Sequence, residues 1–570
     1  MSPSPRTPRN QTATGTSLLI LSIALAGAIL APSCSRGSGR EHSGNNLPLP
    51  LTPEDFRVPG SQHGDVNETA FLPAQHCGMC HAGFDPENEP VTTWQGSLMA
   101  HAGRDPLYFA QLTTAKQDVN NVEQFCTRCH VPTVVITGTT GEPTHKTTHP
   151  LDQEGVTCIL CHSMVDPNYV EGTSPSSDLA ILEKLAHVPS SYGNAQFVLD
   201  PNAVRRGPRA VNAPHDTIES SFHKSGKFCG TCHDVGNVAT TRQPDGTYRY
   251  NMIGESAADA NPISQFPLER TYTEWKLSEF AATGVDMGGR FGGTAGPVVS
   301  TCQDCHMPAV AAQACWSGPI RSDMRKHDFA GSAEWVLGLI AMAYATEPGF
   351  DVQAVLAGRE KALNFLARAG SLELVQQGDQ LHVRAINETG HKLPTGHIEG
   401  RRAWVNVVFR DSTGAILEEY GAYEPQTAIL DTSTVNVYEM HVGLSADAAA
   451  VTGLPAGVTG HMALADTIEK DTRIPPRGFS NAAFAAAGAP VVGTTYAEGQ
   501  YWDDQQFSIP IGALTAEVKF LYQVVTRDYI EHLRESNHTD NWGEILHGLW
   551  LLSGRAVPRE MASASIQILP

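Results

Sequence analysis

Ten of the twelve cysteines fall into five copies of one spacing, Cys-x-x-Cys-His. The copies are Cys77, Cys80 and His81; Cys126, Cys129 and His130; Cys158, Cys161 and His162; Cys229, Cys232 and His233; and Cys302, Cys305 and His306. Two thiols three positions apart can bond the two vinyl groups on one edge of a porphyrin as thioethers. The imidazole that follows can then ligate the iron. Simple frequency multiplication gives on the order of 0.01 such pentapeptides in a chain of this composition. Zinc ribbons do not need a histidine after each cysteine pair, and a disulfide framework would not repeat the spacing. The pattern predicts five covalently bound haem c groups, with ten cysteines as thioether donors and five histidines as proximal iron ligands. Cys315, in Gln313-Ala-Cys-Trp-Ser317, is left over and is expected to be a buried, unreactive thiol.

Of 23 histidines, five belong to these frames. A second axial imidazole would keep each iron six-coordinate and low-spin, so that little geometry changes when an electron arrives. Position relative to the motifs favours His101, His149, His215, His223, His327 and His391 as distal ligands. His63, His76, His145, His187 and His397 rank behind them, because a lone histidine is more often an ordinary surface or core residue. No catalytic residue is assigned.

The elements that must hold these groups belong to an exported chain. Arg6 and Arg9 precede an apolar run over residues 17–31, which ends at Pro32-Ser33-Cys34. That is the layout of a signal peptide, and the run is short for a membrane span. Cys34 is the candidate lipidation site, which would anchor the chain to a membrane through a tether over residues 35–46. The alternative is an ordinary signal peptide with a spare cysteine near the cleavage point. At 570 residues, 41% hydrophobic and 17% charged, the remainder reads as folded protein in two domains. A formal charge of −21 argues against nucleic acid as a partner and favours redox proteins with basic docking surfaces.

The expected fold class is mixed: a loop-rich, mainly α multihaem cytochrome domain followed by a mainly β, sandwich-like C-terminal domain. The divisions are 1–34 (signal peptide), 35–64 (linker), 65–330 (haem domain), 331–370 (helical connector) and 371–570 (β-rich domain). Haems offer large apolar faces, so polypeptide can wrap them with little regular structure beyond short helices such as 271–280. Residues 332–345 and 351–369 read as helices, the second with Asp351 as N-cap and Gly370 as its stop. Beyond Gly370 the period changes to two. Leu372 and Leu374, Leu381 and Val383, Val405, Val407 and Phe409, then Val518, Phe520, Tyr522 and Val524 read as half-buried strands. Asp411-Ser-Thr-Gly414 reads as a hairpin turn, 527–535 as a helix and 563–569 as a closing strand.

Several segments, in this order, resemble a family of large bacterial multihaem c-type cytochromes. They are Met99-Ala-His-Ala-Gly-Arg-Asp-Pro106, Gly155-Val-Thr-Cys-Ile-Leu-Cys-His162, Phe228-Cys-Gly-Thr-Cys-His-Asp234, Thr301-Cys-Gln-Asp-Cys-His-Met-Pro308 and Gly390-His-Lys-Leu-Pro-Thr-Gly396. The haem-binding part is similar to the tetrahaem electron carrier of ammonia-oxidising bacteria, and the resemblance runs over about residues 70 to 565. It implies electron transfer outside the cytoplasm, in the periplasm or at the cell surface. It also raises His101, His223, His327 and His391 as distal ligands. Two alternatives stay open: an oxidoreductase that turns over a small nitrogen or sulfur compound at one haem with an open site, and a structural subunit of a surface cytochrome assembly.

Overall fold

The computed structural model describes residues 53–138, 150–251, 260–294 and 296–569. The expectations for the export segment, Cys34, His145 and His149 lie outside the described residues. Those described all belong to one compact unit.

Short helices carry the cysteine motifs: α1 (Ala74–His81), α3 (Glu123–His130), α4 (Cys158–Ser163), α5 (Gly226–Gly230) and α7 (Cys302–His306). Between them run α2 (Pro106–Asp118) and α6 (Thr271–Lys276). The helix expected over 271–280 breaks after Lys276, where the Ser278 hydroxyl donates to the Trp275 carbonyl, and a separate turn covers Glu279–Ala282. This half also contains small strand pairs that alternation did not reveal, because two- to five-residue strands carry almost no periodic signal. One pair sets β1 (Val235–Asn237) against β2 (Phe266–Glu269), with Val235 opposite Glu269.

Helices α8 (Glu334–Tyr344) and α9 (Val352–Leu366) follow. Asp351 caps α9 by accepting from the Gln353 and Ala354 amides, as its position suggested. Gly370 is not the stop. The helix ends before it, at Leu366, and Gly370 is the first residue of the next strand, where a Cβ would lie 2.7 Å from the Phe520 ring.

The remainder is mostly antiparallel sheet. One sheet has three strands in the order β3 (Gly370–Gln377), β4 (Gln380–Asn387), β10 (Trp502–Ser508). The other is built on β5 (Arg402–Arg410), flanked by β7 (Val437–Leu444) and β11 (Thr515–Gln523). β6 (Ile416–Tyr420) also pairs with β5, β8 (Gly457–Val458) and β9 (Thr467–Asp471) pair with β7, and β12 (Arg559–Gln567) pairs with β11. Leu381, Val383 and Phe507 of the first sheet share one apolar core with Val405, Val407, Phe409, Val518 and Phe520 of the second. The turn after β5 follows the expectation: the Gly414 amide donates to the Asp411 carbonyl, with Gly414 at φ +84°. β5 itself differs from the expected half-buried alternation, since all of its residues except Arg410 are buried. Its second face is covered by the following chain, with Trp404 packed on Leu430 and Val437 and donating from its indole to the Gly421 carbonyl.

Two helices near the C-terminus join the halves. α10 (Arg527–Ser536) was legible from sequence, and α11 (Trp542–Leu552) was not. Both pack on α2. Phe109 stacks on Trp542 at 4.7 Å, the Thr113 hydroxyl donates to Asp540 at 2.7 Å, and the Gln117 side chain donates to the Ser536 carbonyl at 2.6 Å. Among the described residues no helix is long and apolar enough to cross a membrane.

Candidate haem-binding sites

Each cysteine motif sits at a short helix, and three of the five helices begin with a side-chain cap. In four motifs both cysteines and the histidine lie within the helix, where residues three apart share a face, whereas α5 ends at Gly230, before Cys232 and His233. Thr157 caps α4 and Ser225 caps α5 through their hydroxyls. Thr301 and Asp304 form a capping box on α7, and the Arg325 guanidinium donates to Asp304 at 2.7 Å. The Ala74 amide at the start of α1 donates to the Glu154 carboxylate at 3.0 Å, and burial pushes that carboxyl up to about 7. None of the ten motif thiols is bridged in a disulfide.

The motif histidines are oriented from behind. Nδ1 of His81 hydrogen-bonds to the Ala314 carbonyl at 2.6 Å, that of His162 to the Arg206 carbonyl at 2.7 Å, and that of His306 to the Ala330 carbonyl at 2.7 Å. A proton held on Nδ1 leaves the lone pair on Nε2, the tautomer that binds a metal. Burial holds the His162 pKa below its ordinary value and the His306 pKa at about 4, so these rings are neutral. His130 is likewise lowered by burial to about 4, and its ring stacks on Tyr108 at 3.8 Å with 4° between the planes. His233 differs. Its Nδ1 faces the Glu269 carboxylate at 3.1 Å; burial opposes a charge there, but the carboxylate outweighs it and pushes His233 up to about 9.

Two imidazoles sharing one metal, each about 2 Å from it, have ring centroids about 6 Å apart. The His162 ring lies 6.2 Å from His327 at 27° and 6.1 Å from His223 at 18°. His327 is tied through Nδ1 to the Arg325 carbonyl, which leaves its Nε2 uncommitted. His223 instead offers Nε2 to the Cys161 carbonyl, and its Nδ1 is buried without a partner. Burial lowers both to about 3. His391 lies within electrostatic reach of His306, and its Nδ1 is held by the Lys392 carbonyl at 3.0 Å. His101 is buried against Phe350, its Nε2 bonded to the Gln95 carbonyl and its Nδ1 unpartnered. His215 is exposed, with Nδ1 3.3 Å from the Asp216 carbonyl.

Among the histidines ranked lower, His63 is largely exposed beside Glu68, and His76 and His187 are exposed. His397, also ranked lower, is placed beside a motif histidine. It lies within electrostatic reach of His130, burial lowers it to about 4, and its Nε2 is 3.1 Å from the Tyr529 hydroxyl. A signal was present, since His397 shares the β4–β5 connection with His391. Glu269 had none, because it meets His233 only through the β1–β2 pairing. Cys315 is not buried as expected: it is partly exposed.

The motifs themselves adjoin. Cys77 of the first meets Cys158 of the third, Cys129 of the second meets Cys232 of the fourth, and Cys229 of the fourth meets Cys302 of the fifth. Cys161 of the third lies within electrostatic reach of Cys229 and Cys232. Paired free thiols with an imidazole beside each pair, three of the five anchored through Nδ1 to a backbone carbonyl, are the donor set that haem c requires, so these residues fit the group.

No family model and no curated protein matches the chain. Among solved structures, a penta-heme cytochrome c552 from Thermochromatium tepidum overlays 88% of this chain and 99% of its own at 16% identity, with a TM-score of 0.47.

Proposed function

We propose that the protein is a five-haem c-type cytochrome that carries electrons outside the cytoplasm. The observation that carries this reading is the clustering of all five Cys-x-x-Cys-His motifs: the first meets the third, the fourth meets the second and the fifth, and Cys161 of the third lies within electrostatic reach of the fourth. When bound, haem iron supplies one-electron Fe(III)/Fe(II) chemistry. The chain fixes the spacing between sites, holds His81, His162 and His306 in the ligating tautomer, and keeps His162 and His306 neutral. His327, His391 and His397 are proposed as distal ligands at the third, fifth and second motifs. Cys34 is proposed as the lipid anchor, and the charge of −21 favours a basic redox partner.

The test is the mature protein made in a host with a c-type haem attachment system. Its intact mass should exceed that of the polypeptide by five haems, with a fully low-spin ferric spectrum. Fewer than five covalent haems would overturn the count, and none would overturn the reading.

One observation favours a second reading, a small-molecule site at the second motif. The Tyr108 hydroxyl and the Gln111 amide nitrogen are buried without partners; the Tyr108 ring stacks on His130, and the Gln111 side-chain oxygen accepts from the Tyr529 hydroxyl that meets His397. Under that reading one haem in five is high-spin and binds carbon monoxide once reduced.

A further inference from the structure

The fourth motif is the junction of the set: Cys232 meets Cys129 of the second, Cys229 meets Cys302 of the fifth, and both lie near Cys161 of the third. Through these contacts, the first and third motifs connect to the second and fifth by way of the fourth. The junction histidine is also held differently from its counterparts. His81, His162 and His306 donate from Nδ1 to neutral backbone carbonyls, whereas His233 faces the Glu269 carboxylate.

The fold fixes this contact from several sides. β1 begins two residues after His233, and the β1–β2 register sets Glu269 opposite Val235. The His233 carbonyl accepts from the Tyr272 amide at 2.8 Å. The Arg270 guanidinium donates to the Val235 carbonyl at 2.8 Å, and the Thr273 hydroxyl to Asp234 at 2.6 Å. Glu269 is also bonded to the Thr271 side chain. The imidazole and the carboxylate thus have little freedom to part.

We propose that Glu269 is a positioning residue that lowers the reduction potential of the junction haem, so that electrons pass through this site rather than rest on it. The proposal rests on the five-haem reading above. A ligated imidazole that donates to a carboxylate takes on imidazolate character and becomes more basic, which favours the ferric over the ferrous iron. A carbonyl partner polarises the ring less. Reduction adds one electron to the iron and breaks no bond, so the effect is one on potential alone.

The test is a spectroelectrochemical titration of the mature holoprotein against E269Q and E269D, with haem content measured on each by mass. With five haems retained, E269Q should raise one of the five potentials by at least 59 mV, a tenfold change in a one-electron equilibrium. E269D, which keeps the carboxylate, should recover part of that shift. Five haems with five unchanged potentials, or a potential that falls, overturns the role of Glu269 and leaves the cytochrome reading intact. Wild-type protein without covalent haem overturns both. If E269Q fails to fold, electron paramagnetic resonance of the wild-type ferric protein decides: one low-spin signal in five should have the compressed g-values of an imidazolate ligand, and five neutral-imidazole signals overturn the proposal.

Discussion

The Lys392 ammonium lies 2.7 Å from the Asp471 carboxylate, and neither side chain reaches solvent. Arg473 completes the cluster, 2.7 Å from Asp471 and 3.0 Å from Glu274 of α6, whose carboxylate also accepts the Lys392 amide. This buried network ties the haem-motif half to the sheets directly beside His391. Removing one charge strands the others where water cannot reach them. D471N should therefore destabilise the protein by about 3–5 kcal/mol in a denaturant titration. Burial opposes ionisation of Asp471, but Arg473 and Lys392 outweigh it and hold its pKa below the ordinary carboxylate value. Its contribution is thus present above that ordinary value and is lost as pH falls through the lowered one. A wild-type stability that D471N leaves unchanged would contradict the assignment.

His441 predicts the opposite limb of the pH profile. Its Nε2 is 3.2 Å from Glu439 and its Nδ1 is 3.7 Å from Glu399. Burial works against its charge, yet the two carboxylates push its pKa up to about 9. A group whose pKa rises on folding stabilises fully below its unfolded value, about 6.5, and loses that contribution as pH climbs through about 9. Thermal denaturation followed from pH 6 to 10 should show Tm falling across this window. H441Q should flatten that segment, and an unaltered slope would exclude His441 as its source.

Two helical glycines should respond with opposite signs. Gly358 of α9 runs so close to the segment around Gly96 that an added Cβ would sit 1.8 Å from the Gly96 carbonyl oxygen. G358A must push α9 away and should cost about 1–3 kcal/mol or more. A Cβ at Gly338 of α8 would have the Arg359 side chain as its nearest neighbour, at an ordinary 3.5 Å. G338A should therefore stabilise by about 0.5–1 kcal/mol, the helix-interior preference for alanine. Urea midpoints of the two variants measured side by side decide the matter.

What could be read in advance follows a physical division. The long alternating strands β4 and β11 and the capped helix α9 announce themselves, because their burial pattern repeats along many residues. β5 hid its nature because it is covered on both faces. The two- to five-residue strand pairs of the motif-bearing half are too short for any period to show. The motif cysteines and histidines were legible because their chemistry is local, whereas partners from distant segments were not. His162 meets His327 across 165 positions, and Glu269 reaches His233 only through a strand pair. Proximity made by topology leaves no mark in spacing.

The two histidines of the β4–β5 connection give the sharpest separation of distal ligands. His391 lies near His306, with its Nδ1 held by the Lys392 carbonyl, and His397 lies near His130, with Nε2 engaged by Tyr529. H391A should convert one haem in five from low-spin to high-spin and let the reduced protein bind one equivalent of carbon monoxide, with all five haems retained. H397A should do the same at a different haem, so H391A/H397A should show two high-spin signals and bind two equivalents. If H397A leaves the spectrum unchanged while the wild type already binds one equivalent, the His130 site is open and His397 belongs to its wall. If H391A leaves the spectrum unchanged, the sheet half supplies no ligand to the fifth motif, and the Lys392–Asp471–Glu274 clamp then serves only to join the two halves.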